Sequence, residues 1–282
     1  MRLGILAIGN RHGLPITRLA VEAEARNIES IWFGDHSYIP ASRETPWPGG
    51  ADLPATYYEM LDPFVCMAAA AAVTTRLSVA TGVALVVERD PIQLAKQVAT
   101  LDVMSQGRVH LGVGAGWNLE EMRNHGTDPS TRWQLLQERV EAMKNIWASD
   151  PAEYHGSLVH VESVVSRPRP VQPGGPKVHL GGAGPRAYRR ALQYADGWMP
   201  LLHRGDDDVL KHVANLANEA HKLGRDLANF EVSICEPPYD VATLQAYAGA
   251  GVHRALMRVT PDNADRALDE LDRIATLAQH LT

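Results

Sequence analysis

The stretch LSVATGVALVVERDPIQLAKQVATLDVMSQGRVHLGVGAGW, residues 77–117, decides the fold. Two short apolar runs, beginning at Leu77 and Val109, flank a longer stretch at residues 91–105 that opens with Asp90-Pro91. Proline suits the first turn of a helix, because that position can spare its N–H group. Short apolar strands separated by a helix of this length are typical of parallel strands joined by a crossover helix. The stretch therefore predicts a strand–helix–strand unit.

The same alternation continues in both directions along the 282 residues. Strands are predicted at Leu3–Ile8, Ser30–Phe33, Leu77–Thr81, Val109–Val113, Val178–Leu180, Gly197–Met199, Glu231–Ile234 and Ala255–Val259. Helices are predicted near residues 15–27, 62–75, 91–105, 131–149, 185–195, 206–223, 240–249 and 261–280. A strand followed by a helix, repeated eight times, predicts an α/β fold in which one domain, residues 1–282, forms a closed (β/α)₈ TIM barrel.

Two segments are too long for ordinary connections in such a barrel. The first, Asp35–Leu61, follows strand 2 and is rich in Pro, Gly, Trp and Tyr; the second, Asp150–Lys177, precedes strand 5. Loops that follow strands lie on the catalytic face of a barrel. We therefore expect the first insertion to contribute to a site.

Composition narrows the classes of function. With a formal net charge of −6, the chain offers no extended cationic surface, so we expect no nucleic-acid partner. Cys66 and Cys235 lie far apart and form no CxxC pair, which favours a reducing compartment. The sequence shows no signal peptide and no apolar window long enough to span a bilayer, so we expect a cytoplasmic protein with no membrane partner. The histidines are scattered, and we expect no metal site.

Distinctive residues follow strands 2 and 3. The sequence IWFGDH, residues 31–36, leaves Asp35 and His36 at the mouth of the predicted barrel, where a histidine can exchange a proton near neutral pH. The alternative is that Asp35 caps a turn and His36 lies on the surface. Gly82 interrupts the apolar run of strand 3, and this indicates either a bulge near a ligand or a simple end of the strand.

Alternating glycines end strand 4. Gly112, Gly114 and Gly116 precede Trp117, but they do not match the G-x-G-x-x-G pattern of dinucleotide-binding folds. An inward-facing strand end without side chains leaves room for a planar ring. Trp117 would then form a wall of the site and Glu121 would hydrogen-bond within it. The alternatives are a core tryptophan and a glutamate at a helix start.

A glycine-rich turn follows strand 5, in the sequence HLGGAGPRAYRRA, residues 179–191. Exposed N–H groups at the start of a helix bind phosphate, and glycine allows the phosphate to approach the backbone. Gly181, Gly182, Ala183 and Gly184 are therefore the candidate phosphate site. The alternative is an ordinary strand-to-helix turn.

These segments together resemble the luciferase-like superfamily of flavin and deazaflavin oxidoreductases, and most closely its coenzyme F420-dependent branch. The resemblance rests on IWFGDH, RDPIQLAKQVATLDVMSQGRVHLGVGAGW and HLGGAGPRAYRRALQYADGWMP and covers nearly residues 1–200 in order. It implies a (β/α)₈ barrel, often a homodimer, that binds coenzyme F420, or FMN as the alternative, with its phosphate on the turn Gly181–Gly184.

The resemblance also assigns roles to single residues. The Gly82-Val83 peptide matches a frequent non-prolyl cis bond, which would form a bulge behind the central ring of the cofactor. Asp35 matches a residue that contacts the cofactor, and His36 matches the active-site histidine of relatives that oxidise sugar phosphates.

The substrate implied by those relatives does not fit this chain. They place a catalytic glutamate where this chain has Trp117, and the cations expected for a sugar phosphate have no clear counterpart, although His203 and Arg204 lie near one of them. We therefore expect hydride transfer between F420 and another small organic substrate, with His36 handling the proton. The alternatives are an FMN-dependent monooxygenase and a non-catalytic flavin-binding protein.

Overall fold

The computed structural model describes residues 1–9, 11, 13–50, 52–200 and 208–281, and it confirms the predicted barrel. Eight parallel strands close on themselves in the order β1-β10-β9-β8-β7-β4-β3-β2. The strands are β1 (Arg2–Ala7), β2 (Ser30–Phe33), β3 (Ser78–Leu85), β4 (Val109–Gly114), β7 (Lys177–Gly181), β8 (Gly197–Met199), β9 (Glu231–Cys235) and β10 (Arg254–Val259).

Helices surround the barrel. They are α1 (Ile16–Ala25), α2 (Pro63–Val73), α3 (Pro91–Ser105), α4 (Leu119–Asn124), α5 (Arg132–Ala148), α6 (Pro185–Tyr194), α7 (Val209–Lys222), α8 (Val241–Gly249) and α9 (Ala264–Ala278). The short helix α4 was not predicted, and residues 206–207 of the predicted seventh helix lie outside the described residues. None of the described helices is long and apolar enough to cross a lipid bilayer.

The insertion before β7 contains structure that the sequence did not indicate. Its first half forms an antiparallel hairpin of β5 (Ala152–His155) and β6 (His160–Val164). The Glu138 carboxylate on α5 accepts hydrogen bonds from the backbone N–H groups of Leu158 and Val159, at 2.7 and 2.9 Å. These bonds attach the tip of the hairpin to the outside of the barrel.

Strand β3 contains a bulge at Gly82. Its pairing with β4 shifts register between Thr81 and Ala84, and the Gly82-Val83 peptide is cis, as the resemblance implied. The strand continues to Leu85, so the interpretation of Gly82 as the end of the strand is wrong. A Cβ atom on Gly112 would lie 2.1 Å from the Thr81 carbonyl oxygen, so β4 needs a glycine there to pass the bulged strand.

A buried cation lies at the opposite, N-terminal end of the barrel. The Arg254 side chain is 0% exposed and donates to both Glu29 oxygens, at 2.7 and 2.9 Å, and to Glu231 at 3.0 Å. Burial opposes ionisation of Glu231, but the hydrogen bond from Lys177 and the charges of Arg254 and Arg2 outweigh it and lower the pKa of this carboxyl. The network satisfies charges that would otherwise be costly to bury.

Replacing Arg254 should destabilise the fold strongly. An Arg254→Met variant would leave Glu29 and Glu231 without their buried partner, and we expect the free energy of unfolding to fall by about 3–5 kcal/mol in urea denaturation. Arg2→Met is the matched control, since Arg2 contacts the same two carboxylates from a side chain that is 41% exposed. It should cost less than about 1 kcal/mol. Equal losses for the two variants would contradict the assigned role of Arg254.

Candidate active site

A cavity of about 420 Å³ opens at the C-terminal ends of the barrel strands. Its wall is built from strand ends and from the insertion after β2, as the sequence predicted. The predicted site residues on this wall are Asp35, His36, Gly82, Val83, Trp117, Gly181 and Gly182. The volume lies in the range of ligand pockets for small molecules and cofactors.

The Val83 side chain forms an apolar part of this wall. A Cβ atom on Gly114 would lie 2.6 Å from Val83 Cγ2, and one on Gly181 would lie 3.1 Å from Val83 Cγ1. The two glycines therefore make room for the valine that the bulge projects. Val83 fills the space at Gly114 that the sequence predicts for a planar ring, so a ring would stack against this valine.

His36 is held by hydrogen bonds at both ring nitrogens. Trp117 Nε1 donates to His36 Nε2 at 3.1 Å, and His36 Nδ1 lies 2.7 Å from Glu121 Oε2. Because an indole N–H can only donate, Nε2 must carry the lone pair, and Nδ1 then donates its proton to the carboxylate. The His36 side chain is 7% exposed, so its orientation at the cavity wall is fixed.

Glu121 lies behind His36 and not on the cavity wall. Its side chain is 0% exposed, and it also accepts a hydrogen bond from the Ser37 backbone N–H at 3.1 Å. It belongs to the first turn of α4, which the Asn118 side chain caps by accepting from the Glu121 N–H. Glu121 is not among the residues that line the cavity, and its carboxylate contacts His36, which is, so its predicted role in binding a cofactor stays a prediction.

The carboxylate of Asp35 is almost completely buried within the protein. It accepts two hydrogen bonds from Arg89, at 2.7 and 3.0 Å, and one from the Leu85 backbone N–H, at 2.9 Å. Since Leu85 ends β3, Asp35 fastens the end of β2 to the bulged end of its neighbour. Residue Asp35 borders the cavity, while its charge is engaged by Arg89.

Glu88 is a carboxyl whose importance no pattern in the sequence indicates. It ends a short 3₁₀ turn after β3, Val86–Glu88, and its side chain is 4% exposed. Burial, and then the negative charges of Glu121 and Asp35, raise the pKa of Glu88 to about 9. Glu88 therefore keeps its proton at neutral pH. No sequence motif marks it, since its environment is created by residues from other segments of the chain.

Aromatic side chains from the insertion after β2 cover His36. The Tyr57 ring centroid lies 5.7 Å from that of His36, and Trp47 meets Tyr57 edge-on at 5.8 Å. Both line the cavity. The sequence singled out this insertion for its aromatic content but did not identify these two residues.

The glycine-rich turn lies beside the cavity, at the start of α6. Gly182 and Gly184 have positive φ angles of 105° and 81°, conformations that favour glycine, and Gly184 is the N-terminal capping residue of α6. Ala183 and Gly184 do not line the cavity, although Gly181 and Gly182 do. His203 and Arg204 lie outside the described residues.

A different cluster lies near the N-terminal end of the barrel. The ligand atoms of His110, His179 and Glu231 lie within 4.8 Å of one another. The Glu231 oxygens are already engaged by Lys177 and Arg254. Burial, and then the charge of Arg254, lower the pKa of His110 to about 4, so this histidine is neutral at physiological pH. We interpret the cluster as part of the charged network around Arg254.

Comparison with known proteins identifies the family. A sequence model described as luciferase-like monooxygenase matches residues 11–279. An uncharacterized protein of Mycobacterium tuberculosis is 36% identical over 280 residues, which cover 98% of each chain.

Solved structures of lower sequence identity share the fold. Monooxygenase RslO1 from Streptomyces bottropensis superposes with a TM-score of 0.81 at 18% identity, over 100% of both chains. An F420-dependent secondary alcohol dehydrogenase, in complex with an F420-acetone adduct, superposes with a TM-score of 0.78 at 17% identity, over 100% of this chain and 99% of that one. Because the family model and the mycobacterial relative cover nearly the whole sequence, the chain belongs to the luciferase-like monooxygenase family.

Proposed function

We propose that this protein is an F420-dependent oxidoreductase that moves a hydride between the deazaflavin and a small organic substrate. The observation that carries the proposal is the position of His36, which is held by Glu121 and Trp117 on the wall of an apolar cavity that also contains Val83. A proton-transferring group next to a surface for a planar ring is what such a reaction requires.

The residues present fit a flavin-like cofactor. Val83, placed between Gly114 and Gly181, gives an apolar surface for the ring, and the turn Gly181–Gly184 offers backbone N–H groups at a helix start for the phosphate. When bound, a deazaflavin supplies a ring carbon that gains or loses the hydride.

The protein itself would handle the proton. When an alcohol is oxidised, its carbon loses a hydride and its oxygen loses a proton. The proton would be accepted by the lone pair on His36 Nε2, which lies at the cavity wall. To take this proton, Nε2 gives up its hydrogen bond from Trp117, while Nδ1 keeps its bond to Glu121. The carboxylate then stabilises the positive imidazolium, so Glu121 acts as a positioning residue for His36.

Nearby charges favour a neutral substrate. Arg258 is a cation in the described part of the cavity wall, and its guanidinium is paired with the Glu236 carboxylate at 3.3 Å. The wall also contains the rings of Trp47, Tyr57 and Trp117. Similarity to an F420-dependent secondary alcohol dehydrogenase makes small alcohols and ketones the first compounds to test.

The main alternative is an FMN-dependent monooxygenase. The similarity to monooxygenase RslO1 supports it, because that protein has the same fold over its whole length. The apolar wall at Val83 would accept the ring of either cofactor, so the choice between them requires a binding measurement.

We also propose that the protein is a cytoplasmic homodimer. Both cysteines are free and buried, which fits a reducing compartment. Helix α2 is apolar on its outer side as well, where Val65 is 69% and Val73 is 44% exposed, and Met104 on the adjacent α3 is 57% exposed. A second copy of the chain would cover this surface.

Direct titration tests the cofactor. Purified protein is titrated separately with coenzyme F420 and with FMN, and binding is followed by fluorescence quenching, with light scattering on the same sample to give the oligomer mass. We expect F420 to bind at least about tenfold more tightly than FMN, a difference of about 1.4 kcal/mol. Tight binding of FMN alone would favour the monooxygenase, and binding of F420 without turnover across a substrate panel would favour a non-catalytic protein.

Replacing His36 should separate chemistry from binding. We expect His36→Ala to lower turnover by about 10²–10⁴-fold, the usual contribution of a general acid or base, while the dissociation constant for F420 changes less than about threefold. Turnover is measured with a panel of alcohols, aldehydes and ketones. His160→Ala, on the exposed hairpin, is the control and should behave as the wild type. Unchanged turnover in His36→Ala would remove this residue from the mechanism.

Glu88 should make the stability of the protein depend on pH. Its pKa is about 9 in the folded protein and 4.5 in an unfolded chain, so between these values unfolding releases a proton. Stability attributable to Glu88 is therefore lost as pH rises from about 4.5, by up to about 1.4 kcal/mol per pH unit. Glu88→Gln removes this loss, and we expect its gain over wild type to increase by about 3 kcal/mol between pH 5 and pH 7.5.

Urea denaturation at the two pH values measures this difference. Glu153→Gln, at a carboxylate that is 68% exposed, is the control and should follow the wild type at both pH values. If the free energy of unfolding changes equally between the two pH values for Glu88→Gln and wild type, Glu88 is ionised in the folded protein.

A further inference from the structure

Arginines lie beside Trp133, a residue of the cavity wall, and on helix α6, which follows the glycine-rich turn. Arg190 on α6 places its guanidinium 4.3 Å from the ring centroid of Trp133, and Arg132 lies 5.9 Å from the same ring. Trp133 lines the cavity, and its Cη2 atom would be 3.8 Å from a Cβ on Gly182. Arg186, one helical turn before Arg190, is exposed. We refer to Arg132, Arg186 and Arg190 as the rim arginines.

No carboxylate of the described residues forms an ion pair with a rim arginine. Arg132 donates from Nη1 to the Pro129 carbonyl, while its Nε atom is buried without a hydrogen-bond partner among the described residues. Burial, and then the positive charges of Arg186 and Arg132, lower the pKa of Arg190, and the nearby Tyr194 opposes this shift. These guanidinium groups therefore repel one another in the structure.

The neighbouring Arg189 shows the contrast. It lies on the same helix, is exposed, and pairs with Glu219, with its Nε atom 2.7 Å from the carboxylate. Arg189 is thus neutralised within the protein, whereas Arg190, which lies over Trp133, has no ion pair among the described residues. Unpaired guanidinium groups next to a ligand cavity are suited to bind anionic ligand groups, since charge-assisted bonds to carboxylates or phosphates would relieve their repulsion.

We propose that the rim arginines bind a chain of carboxylates that extends out of the cavity from the phosphate of the bound cofactor. This inference rests on the proposed function and adds a reason for choosing between the two cofactors. Coenzyme F420 carries a phosphodiester followed by glutamyl carboxylates, whereas FMN ends at one phosphate. The turn Gly181–Gly184 would hold the phosphate of either cofactor, and the rim arginines would recognise only the longer anionic chain.

The experiment compares three deazaflavins that share one ring. They are the bare ring with its ribityl chain, the form that ends at the phosphodiester without glutamates, and complete F420. Dissociation constants are measured by fluorescence quenching for wild type, for Arg132→Gln/Arg190→Gln, for Arg186→Gln and for the control Arg189→Gln. Circular dichroism of each variant confirms that it is folded.

We expect wild type to bind complete F420 at least about tenfold more tightly than the form without glutamates, and this advantage should decrease with added salt. The double variant should lose most of the advantage, Arg186→Gln part of it, and Arg189→Gln none. Affinity for the bare ring should stay within about twofold in all variants.

Two results would overturn the inference while leaving the proposed function intact. In the first, wild type binds complete F420 no more tightly than the form without glutamates. In the second, the double variant weakens all three ligands equally, which would mean that the arginines support only the packing of Trp133. Failure of all three deazaflavins to bind would instead overturn the proposed function, and the inference with it.

Discussion

The buried carboxylate of Asp35 is the constraint on which the C-terminal end of the barrel, with its cavity, depends. A carboxylate with a 2% exposed side chain must be paired, and Arg89 and the Leu85 N–H provide that pairing at 2.7–3.0 Å. Leu85 ends the bulged strand that carries Val83, and His36 directly follows Asp35. One buried charge therefore fixes the apolar wall and the histidine relative to each other. This explains how His36, located on a connection and not within a strand, can hold a single orientation.

The parts of the structure that follow from local pattern could be predicted from the sequence. The eight barrel strands were located because a buried parallel strand needs an apolar run, and this requirement is visible along the chain. Asp35 and His36 were placed at the cavity because they directly follow such a run. The sequence also indicates that the glycines at the strand ends leave space in the site. It does not indicate what fills that space. A sequence shows that a side chain is missing at Gly114, and only the fold shows that Val83 occupies the space.

The parts that depend on approach between distant segments could not be predicted. The bond between His36 and Glu121 joins the insertion after β2 to helix α4, and the proton on Glu88 results from burial beside Glu121 and Asp35. Arg254 begins β10, and its partners lie at the start of β9 and directly before β2. In each case the chemistry depends on what surrounds the group, which is a property of the closed barrel and not of any short segment. The resemblance to a family predicts a role for His36 but does not predict that Glu121 is its hydrogen-bond partner.

The arginines of the folded protein differ in whether a carboxylate of the described residues pairs with them. At the N-terminal end of the barrel, Arg254 is enclosed by carboxylates, and at the C-terminal end Arg89 is paired with Asp35 and Asp62. Pairs of this kind satisfy buried charges and leave nothing for a ligand. The arginines beside Trp133 lack such partners in the described part of the chain, although Arg189 on the same helix is paired. Arg254 and Arg89 are thus neutralised within the protein, whereas Arg132 and Arg190 lie beside Trp133 without an ion pair among the described residues. Their positive charge would be available to an anionic cofactor that extends past the turn Gly181–Gly184.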